Sequence, residues 1–215
     1  RLTISANTSF ASMWLISRLE NFRTRHPDID ILLSATDNLA DLHGGEADIG
    51  IRYGRGYYAE LHSDRIVGLR EFPVCSPALL EGDFPLLTPD DLRHHNLLHV
   101  AWYDETDVWP TWNVWLKAAG VEGVDANSGL RFNDYLVAVK AATEGLGVAL
   151  GSDFLVRDDI AAGRLVCPFE LGVGAPDSFA YYLVVPPDRL ENPRIAAFRA
   201  WLLEETAAYR EPRLV

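Results

Sequence analysis

The sequence predicts an α/β protein made of two doubly wound units, the second inserted into the first. Three observations carry this. Strand and helix signals alternate along nearly the whole chain, the pattern of parallel sheets joined by crossover helices. That pattern breaks and restarts as a second block between Ser76 and about Ser178, after which a strand and a helix remain to complete the first unit. The chain has 215 residues, 48% of them hydrophobic, which suffices for one large core or two small ones. The expected boundaries are 1–72 with 185–215 for the first lobe and 73–184 for the second. Extended crossovers near Leu69–Pro73 and Leu183–Pro187 would leave a cleft between them.

Leu2–Ala6 reads as the first strand. Thr8 and Ser9 are N-cap candidates for a helix over Phe10–Arg25, whose buried stripe is Leu15, Leu19 and Phe22. His26–Pro27 stops it, because proline disfavours helix in the residue before it. Ile29, Ile31, Leu33 and Ala35 mark a second strand, and Asp37 is placed to cap a short helix through Leu42, ended by Gly44 and Gly45. A third strand covers Ala47–Tyr53 and runs into the loop Gly54–Tyr58. Ile66–Cys75 is extended, and Ser76–Pro77 and Thr88–Pro89 each pair a cap with a first-turn proline.

The second block continues with a strand at Leu97–Trp102, a helix at Pro110–Ala119 closed by Gly120, and a strand at Leu130–Phe132. A helix over Asp134–Glu144 is closed by Gly145. Then come a strand at Val148–Leu150, a helix at Asp153–Ala162, and a strand at Leu165–Phe169. Glu170–Ser178 reads as loop and Phe179–Val185 as a strong strand. Asn192–Pro193 opens a last amphipathic helix with Ile195, Phe198 and Leu202 on one face.

Composition narrows the function. There are 19 Lys and Arg against 31 Asp and Glu, a formal net charge of −12. Such a chain repels a phosphate backbone, so these residues are not expected to grip DNA or an anionic membrane. The longest apolar stretch, Phe179–Pro187, is far short of the roughly 20 residues a membrane helix needs. The two cysteines, Cys75 and Cys167, lie in apolar strand-like segments and are expected as buried free thiols. The sole methionine, Met13, falls inside a packed helix, so Arg1 is expected to follow something processed off or to begin a fragment of a longer protein.

Enzyme motifs fare poorly. Gly54–Ala59 (GRGYYA) follows a strand and nearly matches a dinucleotide fingerprint, but no amphipathic helix follows it, and Tyr57 and Tyr58 are bulky for a pyrophosphate turn. Gly145 and Gly147 run from helix to strand, the wrong order for that motif. His95 and His99 have a metal-like spacing without a glutamate between them, and His99 reads as strand. No catalytic triad, metal site or cofactor is expected.

The ordered segments SFASMWLISRLENFRTRHPDIDI, DLHGGEADIGIRYG, FPVCSPALL, the run from RFNDY through EGLGVALG, and AAGRLVCPF resemble the effector-binding domain of LysR-type transcriptional regulators. They are similar to the subgroup that includes the glycine-cleavage activator and the β-lactamase regulator. The resemblance implies lobes of the type II periplasmic-binding-protein kind, a small-molecule effector in the cleft, homodimers or tetramers, and a cytoplasmic location. It also implies an N-terminal winged helix-turn-helix, outside this chain, making the DNA contacts. In the family the first helix of one copy packs against a late helix of another; here those would be Phe10–Arg25 and Asp153–Ala162. An extracytoplasmic solute receptor of the same fold is the alternative.

Thirteen residues are candidate ligand contacts. Ser9, Phe10 and Ser12 start the first helix, where hydroxyls and free N–H groups can hold a carboxylate, although Ser9 could simply cap. Thr36, Asp37 and Asp41 follow the second strand. Asp41 matches a binding aspartate of the β-lactamase regulator, although Asp37 could be a cap and Asp41 merely solvated. Tyr53 and Gly54 end the third strand. Asn133, Asp134 and Tyr135 start a helix of the second lobe, with Asp134 again a cap in the plainer reading. Val100 and Trp102 lie on the strand nearest the hinge, where an aromatic is more often core than cleft wall. Trp109, Trp112 and Trp115 read as packing or interface.

Overall fold

A computed structural model describes residues 1–101, 110–177 and 179–209. The chain divides into two compact units, Arg1–Gly68 with the segment from Asp177 on, and Leu69–Pro176. The sequence boundaries at 72/73 and 184/185 therefore move. The reason is strand pairing: Ala180–Val185 joins the first sheet and Arg70–Val74 the second.

In the first unit, β1 (Leu2–Ala6), β2 (Ile31–Ala35), β3 (Ile49–Gly54), β4 (His62–Val67) and β10 (Ala180–Val185) form one sheet in the order β2-β1-β3-β10-β4. β1 pairs in parallel with β2 and β3, while β10 pairs antiparallel with β3 and β4. In the second unit, β5 (Arg70–Val74), β6 (Leu97–Val100), β7 (Leu130–Phe132), β8 (Val148–Ser152) and β9 (Val173–Gly174) take the order β7-β6-β8-β5-β9. Here β6 is parallel to β7 and β8, and β5 is antiparallel to β8 and β9. Both sheets are thus mixed, not the purely parallel sheets that alternation suggested. The antiparallel member of each is the strand on which the chain changes unit.

The helix after β1, α1, is one helical run over 8–25 with an irregular middle: Thr8–Phe10 is α, Ala11–Leu15 π, Ile16–Arg18 3₁₀ and Leu19–Arg25 α again. Its cap is Asn7, whose side-chain oxygen accepts the Phe10 N–H at 3.0 Å, so Thr8 and Ser9 are inside the helix. Phe22 of α1 packs edge-on against Phe198 and Trp201 of α5 (Pro193–Thr206), with ring centroids 5.3 and 5.2 Å away. The Trp201 indole N–H donates to Asn21 at 2.9 Å. Opposing faces of two amphipathic helices are thereby buried, as the Ile195, Phe198 and Leu202 stripe requires.

In the second unit α2 (Trp112–Ala119) buries Trp112 and Trp115 in the core, where their indole N–H groups donate to Leu98 O at 3.1 Å and Leu171 O at 2.8 Å. These two tryptophans are packing residues; Trp109 lies outside the described residues. Gly120 ends α2 at φ +67, a left-handed conformation that favours glycine. α3 (Tyr135–Thr143) starts on the Asp134 cap, and α4 (Arg157–Ala161) is shorter than the expected Asp153–Ala162. Cys75 and Cys167 are free thiols.

Three local expectations fail. No helix forms over 37–42, where the chain runs through bends into a turn. Leu165–Phe169 contributes only the Cys75–Val166 bridge rather than a strand. The expected loop 170–178 instead supplies β9. No helix among the described residues is long and apolar enough to cross a membrane.

Candidate functional site

In the first unit, β1 stands between β2 and β3, so the chain leaves it to one side and later returns on the other. Ligands of open α/β sheets bind at such a reversal, outside the carboxyl ends of the strands. At those ends lie Thr36, Tyr53, Gly54 and the head of α1. Asn7 N–H donates to Ile51 O at 3.3 Å and Thr36 N–H to Ala6 O at 2.8 Å, which ties the three strand ends together.

Ser9 is buried, and its Oγ lies 3.3 Å from the Tyr181 hydroxyl. Asn7 Nδ2 donates to the same Oγ at 3.1 Å. Tyr181, on β10, is the cross-strand partner of Tyr53, with ring centroids 5.3 Å apart, and it also lies 4.8 Å from the Phe10 ring. Tyr53 in turn faces Phe179 at 6.1 Å, and Arg55 covers that phenylalanine at 5.2 Å. The head of α1 thus carries a hydroxyl pair set among aromatic faces. Ser12 is exposed, one turn further along the helix.

The carboxylates are used differently from expectation. Asp37 caps no helix of its own; it accepts the Thr8 N–H of α1 at 3.3 Å, adding negative charge at that helix end. Asp41 accepts the Gly44 N–H at 2.7 Å inside a tight turn and is exposed. Beneath this loop the buried Arg52 donates to Ser5 O at 3.1 Å, Ile51 O at 3.0 Å, Ser5 Oγ at 2.6 Å and Asn38 O at 3.1 Å. All four acceptors are uncharged. Burial pushes the guanidinium below its ordinary value, against the pull of Tyr58 and Asp37. Arg52 pins the loop to β1.

The loop after Gly54 leads to β4 rather than into a helix. A Cβ on Gly56, at φ +78, would meet Tyr182 Cζ at 2.4 Å, so the glycine is there for close packing on that ring.

In the second unit the equivalent strand ends carry Val100, Phe132 and Ser152, the ends of β6, β7 and β8. Asn133 is exposed. Asp134 caps α3 by accepting the Val137 N–H at 3.2 Å. Tyr135 is buried and its hydroxyl accepts the Ser152 N–H at 2.5 Å, which ties α3 to the end of β8. Val100 is half-buried and pairs with Phe132, and Trp102 lies outside the described residues. His99 spends its Nε2 on Ser128 O at 2.7 Å, in keeping with its place in β6.

Sequence reasoning missed Tyr181, Asn7 and Arg52. Tyr181 carried a usable signal, being an aromatic in a strand already identified, but its partner Tyr53 is fixed by a pairing across most of the chain.

The LysR substrate binding domain matches residues 1–207. The chain belongs to that family. It is 38% identical over 210 residues to the glycine cleavage system transcriptional activator of Escherichia coli K12, covering 98% of this chain and 66% of that protein. It thus spans just under two thirds of such relatives. The effector domain of the transcriptional regulator AmpR of Pseudomonas aeruginosa superposes with a TM-score of 0.75 at 31% identity, over 96% of this chain and 95% of that one. The Citrobacter freundii AmpR effector binding domain superposes at 0.78 with 24% identity, over 96% and 98%. The two mixed five-stranded sheets are the two lobes of this LysR-type, periplasmic-binding-protein-like fold, and the chain is an effector-binding domain of the LysR type. The relatives are transcriptional regulators, which speaks against both the enzyme and the solute-receptor readings.

Proposed function

We propose that this domain senses a small-molecule effector for a cytoplasmic transcriptional regulator whose DNA contacts lie in a winged helix-turn-helix outside the chain. The observation that carries the reading is the buried Ser9–Tyr181 hydroxyl pair at the head of α1, among the rings of Phe10 and Tyr53, in a chain of this family. Hydroxyls there would hold the polar end of the effector and the rings its carbon skeleton. Ser12, Thr36, Asp37, Asp41 and Gly54 complete the proposed contacts in the first unit, and Val100, Trp102, Asn133, Asp134 and Tyr135 are the candidates that the second unit offers. The effector class is an amino acid, an aromatic acid or a peptide-like metabolite. The regulator would work as a dimer or tetramer, with α1 of one copy against α4 of another. The effector acts by its differential affinity for two arrangements of that assembly.

The test is a thermal-shift panel of those three classes, followed by calorimetry on any hit. The reading expects one class to raise Tm, and a Ser9→Val, Tyr181→Phe double variant to lose at least about tenfold in affinity, roughly 1.4 kcal/mol, while staying folded. Unchanged affinity in a stable double variant would overturn the site.

A further inference from the structure

Glu71 is the third residue of the second unit, on the strand by which the chain enters it. It is 1% exposed, and neither carboxyl oxygen has a hydrogen-bond partner among the described residues. Its cross-strand partner on β8 is Ser152, whose hydroxyl is likewise buried and unpartnered; on the other side it pairs with Val173 of β9. Cross-strand partners stand with Cβ atoms roughly 5 Å apart, so the serine hydroxyl is the nearest polar side chain across the β5–β8 pair. The two sheets share one strand order, and β5 takes in the second the place β10 takes in the first. Glu71 beside the end of β8 thus corresponds to Tyr181 beside the end of β3.

The surrounding charges do not favour an ionised Glu71. Asp153, directly after β8, is a like charge; its carboxylate accepts the Arg70 N–H at 3.1 Å. Arg70 and Arg157 act on Asp153, Tyr135 of α3 presents a neutral phenol to Ser152, and β9 carries no charge. Burying an unpaired carboxylate costs several kcal/mol, so such a group stays neutral or leaves.

We propose that Glu71 is a proton-controlled latch: with its proton it lies inside the second sheet, and without it the residue must swing out, freeing β5 from β9 and from the end of β8. Burial, with Asp153 adding to it, raises this carboxyl well above its usual value. The native state therefore keeps a proton that the unfolded chain releases above about pH 4.3, and stability from this site falls as pH rises beyond that point.

The test compares Tm against pH for the full 215-residue chain and its Glu71→Gln variant. Glutamine is isosteric and cannot ionise. Between pH 4.5 and 8 the variant is expected to gain at least about 3 °C on the wild type, whatever constant offset the amide brings. Amide exchange in β5 of the wild type should likewise speed up with pH beyond the intrinsic chemical dependence. Parallel curves would overturn the proposal. Should the variant fail to fold, infrared spectra of the wild type at pH 7 decide. A protonated-carboxyl band supports the latch, and full ionisation of every carboxyl sinks it.

Discussion

Asp134 shows how one residue answers two readings. As a cap it accepts a backbone N–H of α3, and losing that bond costs about 1 kcal/mol. Asp134→Ser keeps a capping oxygen and removes the charge. It should leave Tm within about 2 °C, so any loss of effector affinity reports the carboxylate itself. The cysteines give a second prediction at this scale. Burial pushes the Cys75 thiol up to about 12, with Cys167 adding to it, and burial lifts Cys167 to about 11. The thiolate is the nucleophile, so at pH 8 the native protein should react slowly with Ellman's reagent and the unfolded protein should yield both thiols within minutes. Fast labelling of native protein would contradict the packing. Of the candidate residues, Asp134 was legible as a cap and Tyr53 as standing near a strand's end, since both follow from local sequence, whereas Ser9, read as a possible cap, lies inside the helix behind Asn7. Arg52 was not, because an arginine in a strand looks solvent-bound until the loop over it is placed.

Among elements, α5 is held to the first sheet by more than its apolar stripe. Arg199 donates to both oxygens of Asp64 on β4, at 2.5 and 2.7 Å, and His62 lies 3.1 Å from the same carboxylate. Burial would raise the Asp64 carboxyl, but those hydrogen bonds outweigh it and hold it below its usual value. A depressed acid stabilises the fold above the unfolded value, near pH 3.9, and the benefit is lost as pH falls through the folded value. Asp64→Asn should therefore cost about 1–2 kcal/mol at pH 7, a Tm loss of about 2–8 °C, and the gap should close below about pH 4. A gap independent of pH would assign the loss to packing alone. Phe22→Ala, which empties the α1–α5 contact, should cost about 3–5 kcal/mol in denaturant unfolding. Elements with a local cause were readable: α3 from Asp134 and Gly145, α2 from Gly120, β7 from its bounds. The expected helix over 37–42 failed because Asp37 spends its carboxylate on Thr8 and Asp41 closes a turn on Gly44. Both choices depend on what lies nearby in space.

At the level of the whole molecule, alternation gave the α/β class and the two-unit plan. It could not give the direction of β5 and β10, since antiparallel insertion depends on partners more than 70 residues away. The charge of −12 makes its own prediction. This chain alone should not bind duplex DNA at micromolar concentration in 150 mM salt, as read by fluorescence anisotropy, because it has no excess of cations to displace counterions. Saturable micromolar binding would mean that a basic face had been overlooked.

The place of β10 also bears on how the polypeptide matures. The first sheet needs a strand that is translated only after all of Leu69–Pro176, and the helix packed on Phe22 emerges later still. On the ribosome, residues 1–68 must wait as an incomplete sheet with an open β3 edge while the second unit gathers every strand it needs. Folding is then expected to finish out of chain order, with residues 1–68 the stretch in want of a chaperone.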